Sequence, residues 1–275
     1  MNSKKLIKIA DRNFSHAKYS SDYQESKYID WTRDLNIEGD VVFMTDNSLP
    51  MVDNIISKVK VGWLMEPRAI FPRNYEWMKS NFDKFDIVLT YDKELINLSD
   101  KAHFSPHCGC WINPIDQMIY DKTKLVSIIA SNKRQTVGHR FRHSAIKICK
   151  DNNFPLDIFG RGYTPVDYKL TALKDYAFSI TFENSKSDYY FTEKLMDCFT
   201  TGTVPIYWGC PSIGEFFNIN GMIIVDNEED FINEMKNLTL ERYESMKPAI
   251  LENLEIGKKF LLAEDWIYEN TNILK

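Results

Sequence analysis

The chain has 275 residues, of which 44% are hydrophobic and 27% charged, and its formal net charge is −5. This length and composition are those of a globular protein with room for two modest domains. The acidic balance excludes a protein that binds nucleic acid over a broad basic face, so we expect no nucleic-acid partner. No apolar run reaches the roughly 18 residues of a membrane span, and the N-terminus lacks a signal-peptide pattern. We therefore expect a soluble chain without an integral membrane segment.

The chain contains five cysteines, an odd number at low density. This usage favours reduced thiols and a cytoplasmic location. Cys108 and Cys110 form a C-x-C pair, and metal binding by this pair is the alternative to reduced structural thiols. The second cysteine pair of a structural zinc site is missing. The sequence therefore predicts no metal site.

Apolar strands alternate with amphipathic helices in the first hundred residues. The runs KLIKIA, DVVFMT, VGWLM and DIVLTY predict strands, and NYEWMKSNFDKF has helical spacing. The strands occupy residues 5–10, 40–45, 61–65 and 86–91, and the helix occupies 74–85. This alternation is typical of a parallel sheet covered by helices.

The alternation lapses between residues 101 and 122, where Pro106, Gly109 and Pro114 interrupt the chain. We place the domain boundary there, with one domain at residues 1–115 and the other at 116–275. In this prediction the last helix of the chain can pack against the first domain.

The alternation resumes in the second domain. Predicted strands cover residues 125–131, 156–160, 176–184, 203–209 and 222–226, and predicted helices cover 138–152, 191–202, 230–238 and much of the chain after 241. Two consecutive β/α/β domains fit a nucleotide-sugar enzyme, a binding protein or a dehydrogenase, and the fold alone does not choose among them. The glycine fingerprints of dinucleotide-binding and P-loop proteins are absent.

The stretch FENSKSDYYFTEKLMDCFTTGTVPIYWG, residues 182–209, places a Glu-Lys pair at the start of a helix. Phe191, Leu195, Cys198 and Phe199 form the apolar stripe of that helix, which leaves Glu193 and Lys194 outside it. A cation in the first turn opposes the helix dipole at a cost of roughly 0.3–1 kcal/mol. A bound diphosphate would offset this cost, while a sugar hydroxyl pair would suit Glu193. The alternative is a solvated pair at an exposed helix start.

Three ordered segments of this stretch, FENS at 182–185, DYYFTEK at 188–194 and GTVPIYWG at 202–209, resemble the signature of the α1,3/α1,4-fucosyltransferases, glycosyltransferase family 10, especially its bacterial members. The resemblance implies an α/β fold of the GT-B type, with two Rossmann-like domains facing across a cleft and GDP-fucose bound by the second domain. By position it assigns Asn184, Tyr190, Glu193 and Lys194 to donor binding, with Lys194 on the diphosphate and Glu193 on ribose or sugar hydroxyls. A packed core ring is the alternative for Tyr190.

A second segment, SNKRQTVGHRFRHSAIKI at 131–148, resembles the start of the family's donor domain, where an arginine binds the diphosphate. A planar guanidinium suits two phosphate oxygens at once. Arg142 is preferred for this role, Arg140 remains an alternative, and Lys133 in the preceding loop is a further donor-binding candidate. Each of them is otherwise a solvated helix or loop charge.

A third segment, VGWLMEPRAI at 61–70, resembles the part of the acceptor domain that carries the family's catalytic carboxylate, which by position is Glu66. Glu66 follows an apolar strand, and Pro67 ends that strand. The alternative is a glutamate that bonds to a loop amide.

The resemblance thus implies an inverting transferase that moves L-fucose from GDP-fucose to a hydroxyl of an acceptor glycan in an α1,3 or α1,4 linkage. No cofactor is expected, and a metal ion would be at most stimulatory. Two alternatives remain open: a transferase of the same fold that uses another GDP-sugar, and a non-catalytic nucleotide- or sugar-binding module. The partners expected are a GDP-sugar donor and a glycan acceptor, and the soluble, cytoplasmic character points to a bacterial or viral type.

Overall fold

A computed structural model of the protein describes residues 4–274, which divide into two units. The first unit comprises residues 4–109, Asp188–Tyr190 and 260–274. It contains a six-stranded sheet whose strands are β1 Lys5–Ala10, β2 Ile29–Thr32, β3 Val41–Thr45, β4 Val59–Leu64, β5 Ile87–Thr90 and β6 Ala102–Phe104. All pairings are parallel, in the order β2-β1-β3-β4-β5-β6. The inner strands are almost wholly apolar because helices and loops cover both faces of a parallel sheet.

Helices α1 Pro72–Lys79 and α2 Lys93–Leu98 belong to the first unit. Helix α1 ends before the predicted residue 85, because Asn81 turns its side-chain amide back onto the Trp77 carbonyl at 2.7 Å and a separate short turn follows. The sequence reading also missed β2, β6 and α2, which are only four, three and six residues long and too short for a clear period.

A C-terminal segment that includes the last helix belongs to the first unit. There the buried Glu264 accepts hydrogen bonds from the Ser20 amide and hydroxyl, at 2.7 and 2.6 Å, and from the Trp31 indole at 2.6 Å. Burial raises the pKa of this carboxyl. These bonds attach the segment to β2 and to the loop that precedes it.

The second unit comprises Cys110–Ser187 and Phe191–Lys259. Its five strands are β7 Lys124–Ile129, β8 Asp157–Phe159, β9 Tyr176–Phe182, β10 Val204–Trp208 and β11 Ile223–Ile224, again all parallel, in the order β11-β10-β9-β7-β8. Its helices are α3 Val137–Asp151, α4 Glu193–Phe199, α5 Glu228–Lys236 and α6 Leu240–Gly257, and the last helix of the chain, in the first unit, is α7 Ala263–Asn270. Every residue of the central strand β9 is buried.

The strand order of each unit contains one point at which the chain changes direction across the sheet. In the first unit the chain goes from β1 to β2 on one side and from β3 to β6 on the other. In the second unit it goes from β7 to β8 on one side and from β9 to β11 on the other. Ligands of open parallel sheets bind outside the carboxyl ends of the strands at such switch points. The pairs β1/β3 and β7/β9 therefore mark where a site is expected in each unit.

The sequence places the domain boundary after residue 115, and the structure divides the chain between Gly109 and Cys110, with residues 188–190 and 260–274 in the first unit. All five cysteines are buried thiols. Within residues 4–274, no helix has both the length and the apolar composition that a membrane crossing needs.

Gly138, in the first turn of α3, lies where this helix approaches the end of β9 most closely. Its amide donates to the Asn184 carbonyl at 3.2 Å, and a Cβ at this position would lie 1.7 Å from the Glu183 carbonyl oxygen. Only glycine fits this contact, because the obstructing atom is backbone and cannot rotate away.

We expect Gly138→Ala to lower the free energy of unfolding of the second unit by about 1–3 kcal/mol, because α3 must move away from β9. Gly257→Ala is the matched control, since its Cβ would meet atoms no closer than 3.5 Å at the end of α6. Chemical denaturation followed by fluorescence measures both variants. Equal stability of the two variants would contradict the tight contact.

Candidate functional site

A cavity of about 280 Å³ opens in the second unit at the carboxyl ends of β7 and β9. Its walls are residues 129–131 after β7, Gly160 and Arg161 after β8, residues 179–182 of β9, Arg142 of α3, Lys169 and Leu173 before β9, and residues 193, 194, 197 and 198 of α4. This is the switch point of the sheet, where a ligand is expected. The geometry thus brings together Arg142, Glu193 and Lys194, three of the predicted donor-binding residues.

Four basic and two acidic side chains line this cavity, a formal excess of two positive charges. They are Arg142, Arg161, Lys169 and Lys194 against Glu193 and Asp197. The chain as a whole is acidic, so this local excess is a property of the site. Such a lining favours an anionic ligand.

Arg142 is held rigidly although it is charged and only 8% exposed. Its Nε and Nη2 donate to the Phe182 carbonyl at 2.9 and 2.5 Å, and Nη2 also donates to Asn184 Oδ1 at 2.9 Å. These bonds compensate for part of the desolvation of the guanidinium and fix its plane at the wall of the cavity. Asn184, predicted to contact the donor, thus supports Arg142 and is not among the lining residues.

Arg140 and Lys133 lie elsewhere. Arg140 is exposed and donates to the carbonyls of Arg134 and Gln135 in the loop before α3, at 3.4 and 3.3 Å. Lys133 is exposed in the same loop, where its backbone carbonyl bonds to His143 at 3.0 Å. Neither residue lines the cavity, so the geometry favours Arg142 of the two arginines.

Lys194 is held by a buried carboxylate that the sequence reading did not single out. Glu183 is 0% exposed and follows β9 directly. It accepts from the Lys194 ammonium at 3.1 Å and from the Thr192 amide and hydroxyl at about 2.9 Å. Thr192 is the N-cap of α4. The expected cost of a cation in this first turn is therefore offset within the protein, without a diphosphate.

Glu193 belongs to a second set of charges on the same wall. Lys169 lies 2.6 Å from Asp197 and 3.6 Å from Glu193, and Lys194 lies 3.5 Å from Glu193. Burial would lower the pKa of Lys169, but the two carboxylates outweigh this effect and raise it, so Lys169 remains a cation. Asp197 is also fixed by the Trp111 amide at 2.6 Å. The Glu193 carboxylate is thus placed between two ammonium groups at the cavity wall.

Tyr190 does not line this cavity. It belongs to the first unit, is 1% exposed, and packs on Tyr91 with ring centroids 5.0 Å apart. The His107 ring lies edge-on to Tyr190, with ring centroids 6.5 Å apart. Tyr190 is therefore a packed core ring of the first unit, which was the alternative stated from the sequence. A contact of Tyr190 with the donor stays a prediction.

Glu66 directly follows Leu64 and Met65 at the carboxyl end of β4 in the first unit and is partly exposed. Its backbone amide donates to Asp46 at 3.3 Å, and its carbonyl accepts from the Tyr75 hydroxyl at 2.5 Å. Within residues 4–274 its side-chain carboxylate has neither a hydrogen bond nor an ion pair, unlike the carboxylates of Asp46 and Glu183. A proton acceptor for an incoming hydroxyl needs this availability.

Sequence reasoning missed Glu183, Lys169, Asp197 and Arg161. Glu183 lay inside a quoted motif, and its position directly after an apolar strand was an available signal. Lys169 and Arg161 come from loops around β8 without periodicity, so their convergence on the cavity depends on strand order, which no local pattern reveals.

The family comparison covers the part of the chain that forms this cavity. Residues 119–240 match the model of the glycosyltransferase family 10 (fucosyltransferase) C-terminal domain. The match includes the whole cavity lining and excludes Glu66.

Curated relatives agree with this match. An α-(1,3)-fucosyltransferase of Helicobacter pylori is 34% identical over 116 residues, which are 42% of this chain and 23% of that protein. A GDP-fucose protein O-fucosyltransferase 3 of Bos taurus is 34% identical over 82 residues, 29% of this chain and 17% of that protein. The aligned parts span less than a third of the curated relatives' lengths.

Solved structures match over nearly the whole chain. An α1,3-fucosyltransferase structure with GDP-fucose has a TM-score of 0.59 at 17% identity and covers 99% of this chain and 90% of that one. An α-glucosyltransferase structure with UDP has a TM-score of 0.58 at 10% identity and covers 98% and 91%. These matches confirm an α/β fold of the GT-B type with two Rossmann-like domains. The resemblance predicted from the sequence motifs is therefore borne out over residues 119–240, which are similar to the glycosyltransferase family 10 (fucosyltransferase) C-terminal domain.

Proposed function

We propose that the protein is an inverting glycosyltransferase that moves L-fucose from GDP-fucose to a hydroxyl of an acceptor glycan, in an α1,3 or α1,4 linkage. One observation carries the proposal: a cavity with excess positive charge lies at the switch point of the second sheet, inside the family 10 domain. Relatives of that domain are named as fucosyltransferases, and one such name includes GDP-fucose.

In the proposed complex the diphosphate of GDP-fucose lies against Arg142 and Lys194. Arg142 presents a planar guanidinium that its bonds to the Phe182 carbonyl and Asn184 already orient. The leaving GDP gains negative charge as the glycosidic bond breaks, and fixed cations stabilise that charge without reorganising. Glu193, on the same wall, accepts hydrogen bonds from ribose or sugar hydroxyls.

Glu66 is the proposed general base. The acceptor hydroxyl has a pKa far above 7, so a base within about 2.6–3.2 Å must take its proton as the new bond forms. Inversion requires that the hydroxyl attack the anomeric carbon from the face opposite the diphosphate. A base on the first domain and a phosphate site on the second suit this requirement.

The proposed reaction needs no metal ion, because Arg142, Lys194, Lys169 and Arg161 supply positive charge where a metal would otherwise balance the diphosphate. A metal would be at most stimulatory in this scheme.

A second candidate is a transferase that uses a different nucleotide sugar. The fold is compatible with this candidate. An α-glucosyltransferase structure with UDP matches it with a TM-score close to that of the fucosyltransferase structure. A non-catalytic nucleotide-binding module remains the third reading, but binding alone gives no role to Glu66.

We expect transfer from GDP-fucose and not from GDP-mannose, UDP-glucose or UDP-N-acetylglucosamine. The protein is incubated with each donor on a glycan array, released nucleotide is measured, and product linkages are determined by mass spectrometry. Transfer from another donor would support the second candidate. Calorimetric binding of GDP without turnover on any glycan would support the third.

Replacing Arg142 by Ala is expected to weaken GDP binding about 10- to 100-fold, the effect of losing charge-assisted hydrogen bonds. Arg140→Ala is the matched control, two residues away on the same helix but exposed and outside the cavity lining. Isothermal titration with GDP measures both. Weaker binding by the Arg140 variant, with the Arg142 variant unaffected, would reverse the assignment. Because Arg142 also supports Phe182 and Asn184, thermal melting of each variant accompanies the titration.

Glu66→Gln is expected to lower kcat for fucose transfer by about 10²–10⁴-fold, the usual contribution of a general base, while GDP binding stays unchanged. Glu76→Gln in α1 is the control, because Glu76 is 63% exposed and forms surface ion pairs with Arg68 and Lys79. Steady-state transfer assays and GDP titration measure the two effects. Transfer by the Glu66 variant at the normal rate would remove Glu66 from the mechanism.

A further inference from the structure

Asp46 is a fully buried carboxylate at the switch point of the first sheet. It directly follows β3 and is 0% exposed. Its φ is +33°, in a region that residues other than glycine rarely adopt. Burial of an acidic side chain and a strained backbone both reduce stability, so a purely structural role would favour another residue here.

The contacts of Asp46 converge on the residue proposed as the base. One oxygen accepts from the Met65 amide at 3.1 Å, and the other accepts from the Glu66 amide at 3.3 Å and from the Asn13 side-chain amide. All three partners are donors, so the site needs a side chain whose two terminal oxygens both accept. An asparagine would turn an N–H group toward at least one of these donors.

Asn13 is itself fixed by hydrogen bonds, so the set of residues that supports Glu66 includes residues from both strands at the switch point. The backbone amide of Asn13 donates to Asp11 at 2.8 Å, and Asp11 also accepts from the Thr45 hydroxyl at 2.7 Å. Asp11 follows β1 and Thr45 ends β3, so the two strands on either side of the switch point hold one hydrogen-bonded chain that ends at the Glu66 backbone.

Tyr75 fixes the backbone carbonyl of Glu66. Its buried hydroxyl donates to the Glu66 carbonyl at 2.5 Å. Both backbone polar groups of Glu66 therefore have fixed partners, Asp46 at the amide and Tyr75 at the carbonyl. The side-chain carboxylate, by contrast, is partly exposed and has no bond within residues 4–274. The peptide is immobilised and the carboxylate remains available.

Burial raises the pKa of Asp46 to about 8, partly opposed by the Glu66 amide, while the nearby negative charge of Glu66 raises it further.

We propose that Asp46 is the positioning residue for Glu66: by holding the amides of Met65 and Glu66 it fixes the direction of the Glu66 carboxylate toward the acceptor hydroxyl. This inference rests on the proposed function, in which Glu66 is the general base. Misplacement of a reacting group by about 1 Å can reduce a rate about 100-fold, so this support has a measurable effect on turnover.

The test compares Asp46→Asn with Asp53→Asn. Asp53 lies in the same short helical segment, is 57% exposed, and forms a surface ion pair with Lys84. Asp46→Asn is expected to lower kcat for transfer about 10- to 100-fold, with the KM for GDP-fucose and the affinity for GDP unchanged. Asp53→Asn should behave as the unaltered protein.

A double-mutant cycle separates positioning from general loss of structure. If Asp46 acts through Glu66, adding Asp46→Asn to Glu66→Gln lowers kcat no further than Glu66→Gln alone. Multiplicative losses in the double variant would overturn the inference. So would a kcat for Asp46→Asn within twofold of normal.

Tyr75→Phe provides a second variant in case Asp46→Asn does not fold, because it removes one hydroxyl and keeps the packed ring. It should lower kcat several-fold, again without a further loss in the Glu66→Gln background. Hydrogen exchange of the amides of residues 65 and 66 should accelerate in Asp46→Asn, a readout independent of turnover. An unaltered protein that transfers no fucose rejects the proposed function and this inference with it; normal transfer with an unaffected Asp46→Asn rejects the inference alone.

Discussion

The buried carboxylate of Glu183 determines how the second unit presents its charges. It lies directly after the central strand β9 and accepts bonds from the Thr192 cap of α4 and from Lys194. Gly209, after the neighbouring strand β10, has no space for a Cβ, which would lie 2.6 Å from Glu183 Cγ. The FENS, FTEK and PIYWG segments are therefore one physical unit: an acid, the helix start that it holds, and the glycine that makes room for it.

This interaction explains why a positive charge is stable at the start of α4. The helix has only seven residues, so its dipole is weak, and an anion of the protein already lies beside the ammonium group. Arg142 is fixed in a similar way by backbone and side-chain acceptors after β9. Charges held by the protein before a ligand arrives need not reorganise when the ligand gains charge.

Apolar runs predicted both parallel sheets well because buried strands leave a clear local pattern, as YAFSITF of β9 does. Strands with few or alternating apolar residues, such as IDWT of β2, left none. Neighbours in sequence, such as Glu193 and Lys194, were also predictable. The contacts of Lys169 with Glu193, of Asp46 with Glu66 and of Glu183 with Lys194 were not predictable. Each pair joins residues 11 to 24 positions apart, a separation at which no local period places two side chains together.

Asp46 and Glu183 show the same physical arrangement in the two units. Each carboxylate is fully buried, directly follows a strand next to the switch point, and accepts only from N–H and O–H groups. A carboxylate in such a place costs several kcal/mol of desolvation, which an apolar residue would avoid. It also fixes its donors more strictly than an amide side chain would, because both oxygens accept and neither position tolerates a donor. Glu183 orients a cation of the cavity wall, and Asp46 orients the proposed base. Burying the acid therefore lowers the stability of each unit, and in return its hydrogen bonds fix the position of the residue beside it.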